Sequence, residues 1–309
     1  MSKQSPTLLA VSIASMLLCV APYSWASDSG SNFDFDIKLG IAGEYNSNVT
    51  VSEIDTSVDE ADMATVLDFS IHAYWQPAES WNLDFGYQLT DRRYRDYGEF
   101  DLMLHLLFAD VSYDFDVYTL GGNYYYADAT LGGNSFLSLN QYSIYAARMI
   151  GDAVYLRGAY NQAEKSLAAF PERDADTQGF SVDAFYFFNA GKSFLLFGGN
   201  FDDEKARSDM FSYKGSTLRL RYSHRFTWLN QDARFQVGYR IHERDYRGNA
   251  LGLQQPREDR HNVLDARFEV PVWQRLMAIT QLEHGDYQSN LASADYSETR
   301  ISLGVALHF

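Results

Sequence analysis

The chain has 309 residues, a single cysteine and a formal charge of −16, and 16% of its residues are aromatic. That acidity excludes a nucleic-acid binder, which has to neutralise phosphates with Lys and Arg. One cysteine, Cys19, excludes an export domain stapled by disulfides.

Residues 1–26 read as a secretory signal peptide. Lys3 makes a basic start, Leu8 to Val20 is an apolar run of 13 residues, and Ser24-Trp25-Ala26 places small residues at the two positions a signal peptidase reads. The run is shorter than the ~20 apolar residues of a spanning helix. Leu18 stands before Cys19, where a lipobox needs a small residue. Cleavage after Ala26 removes only Lys3 among the charged residues and moves the formal charge to −17.

From residue 33 the dominant period is two. Phe33-Asp34-Phe35-Asp36-Ile37-Lys38-Leu39 alternates apolar and charged residues, and Leu218-Arg219-Leu220-Arg221-Tyr222 does the same. In a strand this puts apolar side chains on one face and polar ones on the other. Strands are predicted over 33–45, 65–76, 81–93, 102–114, 117–128, 136–149, 153–164, 178–188, 192–201, 213–227, 233–245, 261–271, 275–286 and 297–309. Sandwich strands average ~5–6 residues, whereas a tilted membrane strand needs ~9–11. The predicted lengths match the second class.

Connections alternate too. Tight ones are expected at 77–80, 115–116, 150–152, 189–191, 227–232 and 272–274. Longer polar ones are expected at 52–63, 94–101, 129–135, 165–178, 202–212, 246–260 and 287–296. Short periplasmic turns and long outer loops produce that rhythm in a barrel. Residues 27–309 therefore read as an all-β domain, a transmembrane antiparallel up-and-down β-barrel of about fourteen strands. Its place is the bacterial outer membrane, among outer-membrane lipid and lipopolysaccharide. Trp75, Trp81, Trp228 and Trp273 cluster at the tight-turn ends, as an interfacial girdle requires.

The last segment is the most specific. Ile301, Leu303, Val305, Leu307 and Phe309 share one face, and Arg300, Ser302, Gly304, Ala306 and His308 share the other. Such a strand ending in Phe resembles the signal read by the barrel assembly machinery. Left unpaired it would invite aggregation; closed onto the first strand it would not.

Strand parity also sorts the charges expected in the lumen. Asp34, Asp36, Glu44, Asp68, Asp84, Asp110 and Asp114 form an acidic arc with Lys38 and Arg92. Arg219, Arg221, Arg225, Arg234, Arg240 and Arg267 form a basic arc with Asp265 and Glu269. Two arcs make either a transverse field across a pore or a salt-bridged plug. Fourteen strands lie between the ~8 that fill their interior and the ~16 that leave a channel.

Enzyme chemistry is not expected. His284, Asp286 and Ser289, with Glu283 beside them, lie near one strand end, a spacing that arises readily by chance. Glu53, Asp55, Asp59, Glu60 and Asp62 lack the Gly and the ligand spacing of a calcium loop. They are expected to form a solvated, self-repelling loop, and no metal or cofactor is expected.

Tyr45-Asn46-Ser47-Asn48-Val49 echoes Tyr287-Gln288-Ser289-Asn290-Leu291. Both would sit at the outer rim, beside the last strand. These segments, with the run to Phe309, resemble the C-terminal barrel of the surface lipoprotein assembly modifiers and related barrels of polysaccharide exporters. The resemblance implies fourteen strands and transport rather than catalysis, and a reading as surface delivery would add a periplasmic partner. Here the barrel is expected to follow the signal peptide directly, without the helical repeats of that family. The leading expectation is a channel or transport barrel for an unidentified substrate. The alternatives are a barrel assisting surface delivery of a lipoprotein or polymer, and a non-conducting structural or adhesive barrel.

Overall fold

A computed structural model describes residues 32–249 and 252–309. The expected signal peptide lies outside them. The alternating segments form fourteen antiparallel strands: β1 (Phe33–Asn46), β2 (Asp62–Ala78), β3 (Trp81–Tyr94), β4 (Leu102–Asp114), β5 (Thr119–Leu131), β6 (Asn134–Ile150), β7 (Val154–Leu167), β8 (Ala175–Phe188), β9 (Ser193–Ala206), β10 (Tyr213–Trp228), β11 (Gln231–Tyr246), β12 (Glu258–Pro271), β13 (Leu276–Ser289) and β14 (Tyr296–His308). Each pairs with its neighbours in sequence, and β1 pairs with β14 to close the barrel. The closing register runs from Lys38 opposite His308 to Asn46 opposite Arg300. Beyond it, Phe309 N donates to Ile37 O at 3.0 Å.

Closure matters because in hydrocarbon each unpaired backbone N–H or C=O costs several kcal/mol. The side chains then distribute inside out relative to a water-soluble protein. Ile144 and Phe201 are each 68% exposed, while Glu44 is 0% and Arg92 is 3% exposed. Trp75, Trp81, Trp228 and Trp273 are all exposed near the tight-turn rim, as expected. Among the described residues no helix is long and apolar enough to cross a membrane; crossing falls to the strands.

All fourteen predicted strands are present, and several run further at their outer ends than predicted. The largest departure is at 129–135. A polar loop was expected there, but β5 and β6 continue to a two-residue turn at Gly132 and Gly133, with φ of 55° and 76°. Two consecutive left-handed residues make the hairpin turn that suits strand twist, and glycine takes that backbone without strain. The outer rim therefore carries six longer connections, at 47–61, 95–101, 168–174, 207–212, 247–257 and 290–295.

The lumen is not uniformly polar either. On the outer half of β4 to β7, Leu104, Leu106, Tyr125, Ala127, Leu139 and Leu167 form a buried apolar wall. Val51 of the first connection packs against it, and Ile54 covers its edge.

Candidate functional site

Most members of the two charge arcs are buried or half-buried, largely as partnered groups. In the acidic arc, Asp68 accepts a hydrogen bond from Thr90 at 2.7 Å, and Asp110 accepts one from Tyr145 at 2.8 Å. Asp84 lies 3.3 Å from His72 Nε2, and Asp36 lies 4.0 Å from His308 Nδ1. Asp34 is half-buried on β1. In the basic arc, Arg219 meets Asp183 at 2.9 Å and Arg221 meets Asp265 at 3.5 Å. Arg267 Nε donates to Glu269 at 2.6 Å. Arg234 is buried and Arg240 half-buried, whereas Arg225 is exposed at the tight-turn rim.

Several of these pairs skip a strand. Asp183 on β8 reaches Arg219 on β10 across Gly198 of β9. A Cβ at position 198 would stand 2.5 Å from Asp183 Oδ1 and 3.0 Å from Arg219 Nε. Gly198→Ala is therefore expected to push the pair apart and to destabilise the barrel by ~1–3 kcal/mol, the usual cost of overpacking. Equilibrium unfolding of the refolded protein in urea measures it; an unchanged midpoint would count against the bridge.

A second network locks the seam. Arg92 on β3 donates to Glu44 on β1 at 2.9 Å. Asn46 Nδ2 donates to Glu298 at 2.8 Å, and Arg300 pairs with Glu283 and with Glu298, the latter at 3.5 Å. Charges from β1, β3, β13 and β14 thus meet where the sheet closes.

At the outer mouth the segment 47–61 folds inward. Asp55, at φ 53°, sits in the left-handed region that Asp tolerates better than most residues. Its carboxylate is bridged by Arg173 at 2.8 Å and by Arg257 at 2.7 Å, from two different outer connections. Arg257 also pairs with Asp259 at 2.8 Å. Burial of Asp55 opposes its charge, but hydrogen bonds and charge from Arg257, then Arg173, outweigh it and hold the carboxyl below its ordinary 3.8. The acidic loop expected to be solvated and repulsive is thus pinned down. Asp62 is buried as well, accepting backbone N–H bonds from Met63, Asp96 and Tyr97 at 2.7, 2.9 and 3.1 Å. The physical reason is that Arg173 and Arg257 converge on Asp55, and the amides of Asp96 and Tyr97 on Asp62, from positions distant in sequence.

The grouping of His284, Asp286 and Ser289 does not assemble. His284 is exposed on the outward face, 2.9 Å from Thr299 Oγ1. Ser289 belongs to the opposite parity and donates to Asp259 at 2.7 Å. Among the described residues no set of three or more His, Cys, Asp or Glu is arranged to hold a metal ion.

A closed fourteen-strand ring with an apolar exterior and a charged interior is now in view. The fold is the outer-membrane β-barrel. No family model matches the sequence, and no curated protein sequence matches it. Solved structures do match in shape. OmpT, an outer membrane protein of Vibrio cholerae, in its in-vitro folded trimer form, aligns with a TM-score of 0.54 at 7% identity, over 90% of this chain and 100% of that one. An anion-selective porin from Comamonas acidovorans aligns at 0.51 with 9% identity, over 90% and 99%. At such identities the likeness is one of fold. The exposed apolar belt and the tryptophan girdle place the barrel in the outer membrane. The outward row Ile301, Leu303, Val305, Leu307 and Phe309 belongs to that belt.

Two features of the barrel escaped the sequence reading. One is the meeting of Asp55 with Arg173 and Arg257. The other is Arg244 on β11, which lines two adjoining cavities of about 50 Å³ each. Parity alone would have placed Arg244 inside with Arg240, but it left the partners of both undefined.

Proposed function

We propose that the barrel is an outer-membrane transport protein for small polar solutes, resting closed behind the segment 47–61. One observation carries the reading. The segment 47–61 folds over the outer mouth, and its Asp55 carboxylate is held by Arg173 and Arg257 from two other outer connections, with Arg173 also donating to Glu53 O at 2.8 Å. Such a stopper can leave without disturbing the strand ladders. Beneath it lie cavities of about 50 Å³, each with room for roughly three to five waters. The charged walls below suit polar solutes and filter them by sign.

Single-channel recording in planar bilayers tests this. Brief, infrequent steps are expected from the native protein. Replacing Arg219, Arg221 and Arg240 together with Gln strips cations from one wall and leaves Asp183 and Asp265 without those partners. Selectivity is then expected to move toward cations by about twofold or more. Absence of steps from both the native protein and a variant lacking the Asp55 carboxylate would overturn the proposal.

Transport is a non-enzymatic role, and the split of His284 from Ser289 favours it over hydrolysis at the rim. Insertion would follow recognition of the row ending in Phe309 by the barrel assembly machinery, with lipopolysaccharide meeting the outer apolar belt. A second reading, surface delivery of a lipoprotein or polymer with a periplasmic partner, is favoured by one observation. The echoing segments 45–49 and 287–291 flank β14 at the outer rim, where Asn48 Nδ2 donates to Ser297 O at 3.3 Å. Co-purification of a periplasmic repeat protein with the barrel would support that reading.

A further inference from the structure

We propose that the lumen contains a binding site for a small carboxylate bearing a neighbouring hydroxyl, built around Arg244 and Asn200. The site names a solute class for the transport reading, on which it rests for passage but not for binding.

Arg244 is held from the side. Its Nε donates to His242 Nε2 at 2.6 Å. That leaves the proton of a neutral imidazole on Nδ1, which lies 2.7 Å from Thr217 Oγ1 and fixes the ring. The guanidinium carbon sits 5.0 Å from the centre of the Tyr213 ring. Two restraints therefore orient the terminal fork while leaving it open. The surrounding acids have other donors. Glu204 accepts from Lys165 at 2.6 Å and from Tyr213 at 3.0 Å. Asp259 is taken by Arg257 and Ser289. Among the described residues no carboxylate forms an ion pair with Arg244.

An independent orphan lies in the same cavity. Asn200 is 1% exposed. Its Nδ2 donates to Asp202 at 2.5 Å, and its Oδ1 has no donor. A buried acceptor without a partner is unfavourable and unusual. Arg244 and Asn200 line one cavity with Leu139 and Tyr213, which offer apolar surface for a short carbon frame. A planar guanidinium fork matches a carboxylate in bidentate fashion, and a hydroxyl hydrogen satisfies Asn200 Oδ1. Asp202 and Glu204 share this wall and oppose a dianion such as phosphate.

Calorimetric titration of the folded, detergent-solubilised barrel tests the site, with sodium glycerate as the probe. Propionate, glycerol and inorganic phosphate are the comparisons. Saturable glycerate binding is expected, tighter than propionate and phosphate, with none for glycerol. Arg244→Gln is expected to weaken it by about tenfold or more, and Arg244→Lys by less. Asn200→Ala is expected to remove the preference for glycerate over propionate. Retained heat-modifiable gel mobility shows that each variant is folded. Absence of saturable glycerate binding to the native barrel, full affinity in Arg244→Gln, or tighter binding of phosphate would overturn the proposal. Detergent binding needs no conduction, so the two readings fail separately: binding without any bilayer current sinks transport, and current without binding sinks the site.

Discussion

Arg92→Met is expected to destabilise the barrel by about 3–5 kcal/mol, the cost of stranding one charge of a buried pair. Glu44 is 0% exposed and Arg92 donates to it at 2.9 Å, so the substitution leaves a carboxylate with neither solvent nor its principal cation. The position sharpens the effect. Glu44 stands opposite Ser302 in the seam, and Arg92 lies two strands away on β3. The pair therefore braces the closing ladder against the neighbouring wall. The double variant Glu44→Gln with Arg92→Met removes both charges and is expected to recover much of the loss, because well-packed neutral groups replace buried ion pairs at little cost. Urea titration followed by heat-modifiable gel mobility measures both. A single variant as stable as the native barrel would show that the seam does not depend on the pair.

Asp55→Ala is expected to open the outer mouth. The substitution breaks the contacts of the carboxylate with Arg173 and Arg257 in one step. Charge-assisted hydrogen bonds contribute ~1.5–3 kcal/mol. Losing even one such contribution raises the displaced population of 47–61 by about tenfold or more. Val51 still favours the apolar wall, so opening is an increase in frequency rather than a permanent state. Open probability in planar bilayers reads it directly; an unaltered value would mean that the segment is held by something else. The pH dependence follows from the depressed carboxyl of Asp55. A carboxylate whose folded pKa lies below its unfolded value stabilises the folded arrangement fully above the unfolded pKa and loses that contribution as pH falls through the folded one. The latch is therefore expected to hold at pH 5 to 7 and to release only below 3.8. Opening between pH 7 and 5 would argue against Asp55 as the fastening.

Much of this was legible from residue order because a strand has a period of two. Asp34-Phe35-Asp36 and Leu303-Gly304-Val305 each declare their faces without reference to any neighbour. Strand length and the rhythm of turns then separated a membrane barrel from a sandwich. The misreading at 129–135 has the same root. Ala129 and Ser135 look like loop residues, yet only Gly132-Gly133 makes the turn, and the flanking small residues continue the ladder. Polarity predicted a loop where backbone permissiveness at two glycines sufficed for a hairpin.

Which side chains share a face is written in the alternation, and the strand count in strand length and the rhythm of turns, since each is a local property summed along the chain. Partnerships are not local. Arg219 meets Asp183 because register places Gly198 between them. Arg173 and Arg257 find Asp55 because three rim connections fold over one opening. Arg244 keeps an open fork because Lys165 and Tyr213 reach Glu204 first. Such outcomes depend on strand register and loop path around a closed cylinder, where a shift of one residue turns every side chain to the other face.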